Sequence, residues 1–300
     1  MFTRRGGHDD RPCCISPIWG VQRGQPFCVL ILLRELHMNI KDAFDMKGRT
    51  AIVTGGGTHL GKAMATALGE LGASVVIASR RAALCEEVAE ELREQGLDVT
   101  GRGCDVTVES EVDALVKEVV DEHGRLDVMV CNAGGSAAPA THVPNGSVDE
   151  FIATLELNVR GTYLCAQAAA RVMVEQRGGS IVTVGSIHGS LTTDKRFYEG
   201  LGFGRGGPAY QTSKGAIINL TRNLASELGE HGITANCISP GQIPRPDANP
   251  IMVQRCADNI PFNRGGEADD LKGAVALLAS PAGAWITGHN LIVDGGWSIW

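Results

Sequence analysis

From Lys47 onward the chain alternates without a break between short apolar runs rich in β-branched residues and longer stretches of helical period. Few architectures admit that pattern. The runs Thr50–Thr54, Ser74–Ala78, Val99–Cys104, Leu126–Cys131, Ser180–Val184, Thr234–Ile238 and Leu291–Val293 predict strands. Between them, Leu60–Leu71, Ala82–Gln95, Glu109–His123, Val148–Glu175, Ala209–Gly229 and Glu267–Ala279 predict helices. Continuously apolar strands require cover on both faces, which a parallel sheet obtains from helices above and below it. Right-handed crossovers then give an α/β, doubly wound, Rossmann-like domain with a seven-stranded parallel sheet. No linker interrupts the alternation, so residues 46–300 read as a single domain. Residues 1–45 read as an extension outside the fold, with little order expected before about residue 40 and with Met38 a more plausible start.

Composition narrows the partners. Net charge is −7 with no dense basic block, which argues against nucleic acid. The apolar run Phe27–Leu33 is too short to span a membrane. Nine scattered cysteines form no CxxC pair, the pattern of a reducing, cytoplasmic compartment with neither a disulfide framework nor a metal site.

The first strand runs straight into Thr54-Gly55-Gly56-Gly57-Thr58-His59-Leu60-Gly61 and then a helix. Glycines there permit a tight turn and let backbone N–H groups approach a pyrophosphate at the helix N-terminus. Gly55, Gly57, Thr58, His59, Leu60 and Gly61 are therefore candidate dinucleotide contacts. Strand 2 ends in Ser79-Arg80-Arg81. A carboxylate at this point would accept from the ribose hydroxyls of NAD and repel a phosphate. Ser79 removes it, and the Arg80 fork suits a 2′-phosphate, with Arg81 beside it, so NADP(H) is the expected cofactor.

In this order and on these elements, the chain resembles the short-chain dehydrogenase/reductase family from about Lys47 to Trp300. Thr54, Gly55 and Gly61 match its glycine motif, with His59 where the middle glycine is usual. Asp105-Val106 resembles the pair that contacts adenine. Asn132-Ala133-Gly134 resembles the NNAG turn, Cys131 replacing its first Asn. Pro240-Gly241, followed by Ile243, resembles the nicotinamide-side loop, with Arg245 where a Thr is common. Asn158, Ser186, Tyr210 and Lys214 match the catalytic set, the last two as YxxxK. The resemblance implies an oxidoreductase that moves hydride between NADP(H) and an alcohol or ketone.

The chemistry of that set is physically sensible. Tyr210 and Lys214 stand four apart on a helix and project from one face. A nearby ammonium favours phenolate and is expected to lower the Tyr210 pKa. Lys214 would also hold the nicotinamide ribose. Ser186 would hydrogen-bond the substrate oxygen, and Asn158 would hold a water linking Lys214 to solvent.

The segment between Ser186 and Tyr210 carries Lys195, Arg196, Arg205 and the glycines 200, 202 and 204, and is expected to wall the substrate pocket as a lid. Together with Ser186-Ile187-His188-Gly189 and the Trp-containing C-terminus, it resembles gluconate 5-dehydrogenase-like members. That implies a polyol or sugar-acid substrate, with His188, Arg196 or Arg245 able to bind a carboxylate. A 3-oxoacyl-thioester reductase shares the same catalytic set, and a non-catalytic dinucleotide-binding regulatory protein is the alternative from another class. The resemblance further implies a homotetramer, with Trp297 and Trp300 either at an interface or folded back on their own subunit.

Overall fold

A computed structural model describes residues 39–201 and 205–300. The expected N-terminal extension, apart from residues 39–45, and the glycines 202 and 204 lie outside the described residues.

The elements run α1 (Ile40–Ala43), β1 (Thr50–Thr54), α2 (His59–Glu70), β2 (Ser74–Ser79), α3 (Ala82–Glu94), β3 (Val99–Gly103), α4 (Glu109–His123), β4 (Val128–Cys131) and α5 (Val148–Leu155). After a π-helical turn (Glu156–Arg160) come α6 (Gly161–Gln176), β5 (Gly179–Val184), α7 (Lys195–Tyr198), α8 (Pro208–Leu228), β6 (Ile233–Pro240), α9 (Pro250–Asn259), α10 (Lys272–Ala279) and β7 (Asn290–Val293). Every pairing is parallel, in the order β3-β2-β1-β4-β5-β6-β7. The fold is the expected doubly wound sheet.

Alternation along the strands divides the core between two faces. Ala51, Val53, Val75, Ile77, Val128 and Val130 point to one side and pack with α2, α3 and α10 through Leu68, Leu92 and Val275. Ile52, Val76, Met129 and Ile181 point to the other side and pack with α4, α6 and α8 through Leu115, Met173 and Leu224. Residues buried from both faces explain why these strands read as unbroken apolar runs. The chain order reverses between β1 and β4, whose neighbours run outward in opposite directions, and a ligand crevice is expected at the carboxyl ends of the strands there.

Local departures from the sequence reading have identifiable causes. The expected helix Val148–Glu175 is two α-helices joined by the π turn, which inserts an extra residue beside Asn158. The helix expected from Glu267 is regular only from Lys272, because Ala268–Leu271 forms a tighter turn with a capping box between Glu267 and Asp270. The helix α9 was not anticipated. Only Cys256 of its residues is buried, so it shows little apolar period, although Asn249 caps it at 2.9 Å and Pro250 opens it. Among the described residues no helix is long and apolar enough to cross a membrane.

Candidate active site

The crevice at the strand ends is a cavity of about 620 Å³ that stretches from the end of β2 to the start of α8. Its floor is the glycine turn. Gly55 takes a φ of +66°, and a Cβ on Gly61 would lie 2.2 Å from the Gly55 carbonyl oxygen, so both positions need glycine. Thr54 ties this turn to the next strand: its Oγ1 donates to the Val130 carbonyl (3.2 Å) and accepts from Asn132 N and Ala133 N, both 3.1 Å. Asn132 Nδ2 donates back to the carbonyls of Thr54 (3.0 Å) and Gly55 (3.2 Å). The two loops that flank the crevice are thereby one unit.

Most of the anticipated cofactor residues line this cavity: Thr58, His59, Leu60, Ser79, Arg80, Arg81, Asp105, Val106, Ala133, Gly134, Pro240, Gly241 and Ile243 among them. Gly57 is the exception. It packs against α3, where a Cβ would meet Cys85 Sγ at 3.2 Å. Two bonds from Thr107 hold the Asp105 carboxyl below its ordinary range, and Arg80 adds to the effect. His59 adopts a φ of +44°, consistent with glycine being usual there. Burial lowers its pKa and Arg245 lowers it further, against the pull of the Pro244 carbonyl.

At the opposite end stand the catalytic candidates. Ser186 follows β5, is buried, and accepts the His188 N–H at 3.1 Å. Tyr210 and Lys214 lie in the first turns of α8, which Pro208 opens. Lys214 Nζ sits 5.6 Å from the Tyr210 ring centroid and donates to the Val184 carbonyl at 2.7 Å. It is almost wholly buried, and desolvation pulls it down to about 8. Tyr210 departs from expectation. Burial raises the phenol above its ordinary value, the Ser186 hydroxyl opposes that, and Tyr198 adds to it. Desolvation sets the direction, and the Lys214 ammonium is turned toward Val184.

Asn158, fully buried in the π turn, bonds in three directions. Its Oδ1 accepts from Gly135 N (2.8 Å), while Nδ2 donates to Gly135 O (2.9 Å) and Ser213 Oγ (2.8 Å). Ser213 Oγ in turn donates to the Tyr210 carbonyl at 2.7 Å. Asn158 thus braces the loop after β4 against the helix that carries Tyr210. A Cβ on Gly134 would approach Asn158 Oδ1 to 2.7 Å and Lys214 Nζ to 3.7 Å, so Asn158 and Lys214 face a common point.

The three cations expected at the substrate do not converge. Arg245 lines the dinucleotide cavity beside His59. Arg196 is highly exposed, and Asp194 holds its guanidinium at 2.7–3.1 Å. Only His188 and Arg196 border the adjoining chamber of about 410 Å³, and burial lowers the His188 pKa. The sequence reading missed Tyr198 and Gln242, which also border it, since no local pattern marks a lone polar residue. Trp297 folds back on its own chain, edge-on to Phe197 at 5.2 Å.

A nucleotide-sized crevice at the switch point, ending in a serine, a tyrosine and a buried lysine, defines the class of coenzyme-dependent oxidoreductases. Comparison agrees and goes further. The sequence model of a family described as enoyl-(acyl carrier protein) reductase matches residues 57–298. Momilactone A synthase of Oryza sativa is 35% identical over 268 residues, covering 86% of this chain and 93% of its own. Galactitol 2-dehydrogenase of Rhizobium johnstonii is 33% identical over 270 residues, covering 88% of this chain and 100% of its own. A gluconate 5-dehydrogenase from Burkholderia cenocepacia, solved in complex with NADP and tartrate, superposes with a TM-score of 0.77 at 29% identity over 87% of this chain and 100% of its own. The chain belongs to the short-chain dehydrogenase/reductase family.

Proposed function

We propose that the protein is an NADP(H)-dependent dehydrogenase/reductase that interconverts a secondary alcohol, of polyol or sugar-acid type, with its ketone. The observation that carries this reading is one continuous cavity, with Arg80 at one end and Ser186, Tyr210 and Lys214 at the other. The residues present fit the cofactor: Gly55 and Gly61, which let the turn close tightly on α2, line the cavity at the helix N-terminus that would meet the phosphates, and Arg80 would meet a 2′-phosphate. When bound, the nicotinamide supplies or accepts the hydride.

The chain's own residues handle the proton. Ser186 Oγ donates to the substrate oxygen and orients it, and Tyr210 delivers the proton to that oxygen in reduction or removes it in oxidation. A phenol raised by burial is a competent acid at neutral pH. To act as base it needs the Lys214 ammonium to turn from Val184 toward the cofactor ribose and the phenol. The polyol limb of the substrate reading draws on the galactitol relative and the sugar-acid limb on the gluconate neighbour. The acid limb is the weaker, since Arg196 is already held by Asp194. Assembly as a homotetramer belongs to the same reading: Tyr163 on α6 is 45% exposed and Ile292 on β7 is 42% exposed.

The test is turnover of secondary alcohols, polyols, gluconate and 3-oxoacyl thioesters with NADP(H) and NAD(H) in parallel. NADP-linked oxidation of an alcohol supports the reading. Activity confined to acyl thioesters, or preference for NAD(H), contradicts it.

A further inference from the structure

Beyond Tyr210, the smaller chamber holds polar groups that the catalytic set does not use. His188 arrives from the turn after β5, Gln242 from the segment after β6 and Tyr198 from α7, so three distant parts of the chain meet there. Gln242 is 9% exposed, yet its Nε2 lies 3.4 Å from His188 Nε2, a long contact at the limit of hydrogen bonding. The Tyr198 hydroxyl faces the same amide and is close enough to Tyr210 to influence its ionisation. The His188 Nδ1 is sealed from solvent and has no partner of proper geometry among the described residues, although the Leu191 backbone carbonyl interacts with the ring. A primary amide offers two donors and two acceptor lone pairs, so Gln242 keeps capacity beyond its contacts with His188 and Tyr198. The spare capacity of an amide that lines a chamber is open to a ligand or to water.

Charge and shape limit what that ligand is. At the rim, Arg196 and Asp194 neutralise each other at 2.7 Å, and burial favours the neutral His188 imidazole. Among the described residues that line the chamber, a carboxylate entering here meets no uncompensated cation. A hydroxyl or carbonyl oxygen, by contrast, can donate to or accept from an imidazole, an amide and a phenol. The backbone N–H of His188 donates to Ser186 Oγ at 3.1 Å, which ties the main chain that carries the imidazole to the serine expected to orient the substrate oxygen. Phe197, Trp297 and Trp300 line the same chamber and offer apolar surface suited to a carbon skeleton.

We propose that His188, Gln242 and Tyr198 form a second oxygen-recognition site beside Tyr210, selecting a neutral substrate with another hydroxyl or carbonyl on the carbon next to the reacting one. Vicinal diols and α-hydroxyketones are that class. The inference rests on the dehydrogenase reading above and excludes its sugar-acid limb. The preference arises because a substrate lacking the second oxygen leaves the spare capacity of the desolvated amide and phenol unfilled in its complex.

Matched pairs test it: cyclohexanol against cis-1,2-cyclohexanediol, and 2-butanol against 2,3-butanediol, with gluconate as the charged control. The full chain is assayed as wild type, Gln242→Leu and Tyr198→Phe, the last removing one hydroxyl only. In the wild type, kcat/KM for each diol is expected to exceed that of its mono-alcohol by about tenfold or more, with gluconate below both. Each variant should shrink the diol advantage by about fivefold or more, mainly through KM. Equal kcat/KM within the wild-type pairs overturns the proposal while leaving the dehydrogenase reading intact. So does a variant that lowers diol and mono-alcohol alike, or gluconate as the best substrate. No turnover of any alcohol, despite coenzyme binding, overturns both.

Discussion

Replacing Lys214 with Met removes a cation that the fold holds out of water, and the consequence for stability can be worked from the structure. Desolvation lowers the Lys214 pKa from an ordinary 10.5 to about 8. At roughly 1.4 kcal/mol per pKa unit, keeping the ammonium charged in this site at neutral pH costs about 3 kcal/mol relative to water. The Met variant escapes that penalty but leaves the Val184 carbonyl without its 2.7 Å donor, a loss of about 1 kcal/mol. Lys214→Met is therefore expected to be more stable than wild type by about 2 kcal/mol at pH 7, while losing turnover. The sign follows from linkage. Because the folded pKa lies below the unfolded one, the unfolded chain binds the extra proton between about pH 8 and 10.5, and wild-type stability rises across that window. By pH 9.5 the wild type has recovered about 2 kcal/mol and the variant's advantage is nearly gone. Urea unfolding of both proteins at pH 7 and pH 9.5 checks this. A variant less stable than wild type at pH 7, or an offset that is the same at both values, refutes the desolvation argument.

Two further substitutions address the coenzyme. Arg80→Ala is expected to weaken NADPH binding by about 10- to 100-fold while changing NADH by less than about threefold, measured by fluorescence titration; equal losses for both coenzymes would place Arg80 away from the 2′-phosphate. Gly61→Ala puts a methyl group 2.2 Å from the Gly55 carbonyl oxygen and is expected to raise the NADPH dissociation constant about 100-fold or more, with circular dichroism still showing the folded protein. Unchanged affinity would mean the turn yields without harm.

The sheet was legible because burial from both sides leaves its mark in the strand residues themselves. Ile52 and Val53 face opposite cores, yet both must be apolar, so the run is continuous and hard to mistake. Tyr210 and Lys214 were legible for a similar reason: a helix converts a spacing of four into a shared face. The π turn at Asn158 was not, since the apolar pattern passes through it and one inserted residue leaves no compositional trace. The direction of the Tyr210 shift was misjudged because spacing reveals the nearby ammonium but not the depth at which both groups are buried. Arg196 and Arg245 were grouped by their loops, and loop geometry sent one to Asp194 and the other to His59. Gln242 and Tyr198 acquire meaning only where three remote segments meet, which no single stretch of sequence displays.

The central claim is that Tyr210 carries the proton for coenzyme-linked hydride transfer. Its most direct test compares wild type with Tyr210→Phe, measuring NADPH binding and alcohol turnover on the same preparations. The account predicts binding within about threefold of wild type and turnover reduced by about 100-fold or more, since positioned acid–base catalysis contributes about 10²–10⁴ to the rate. Turnover retained in the Phe variant would contradict it.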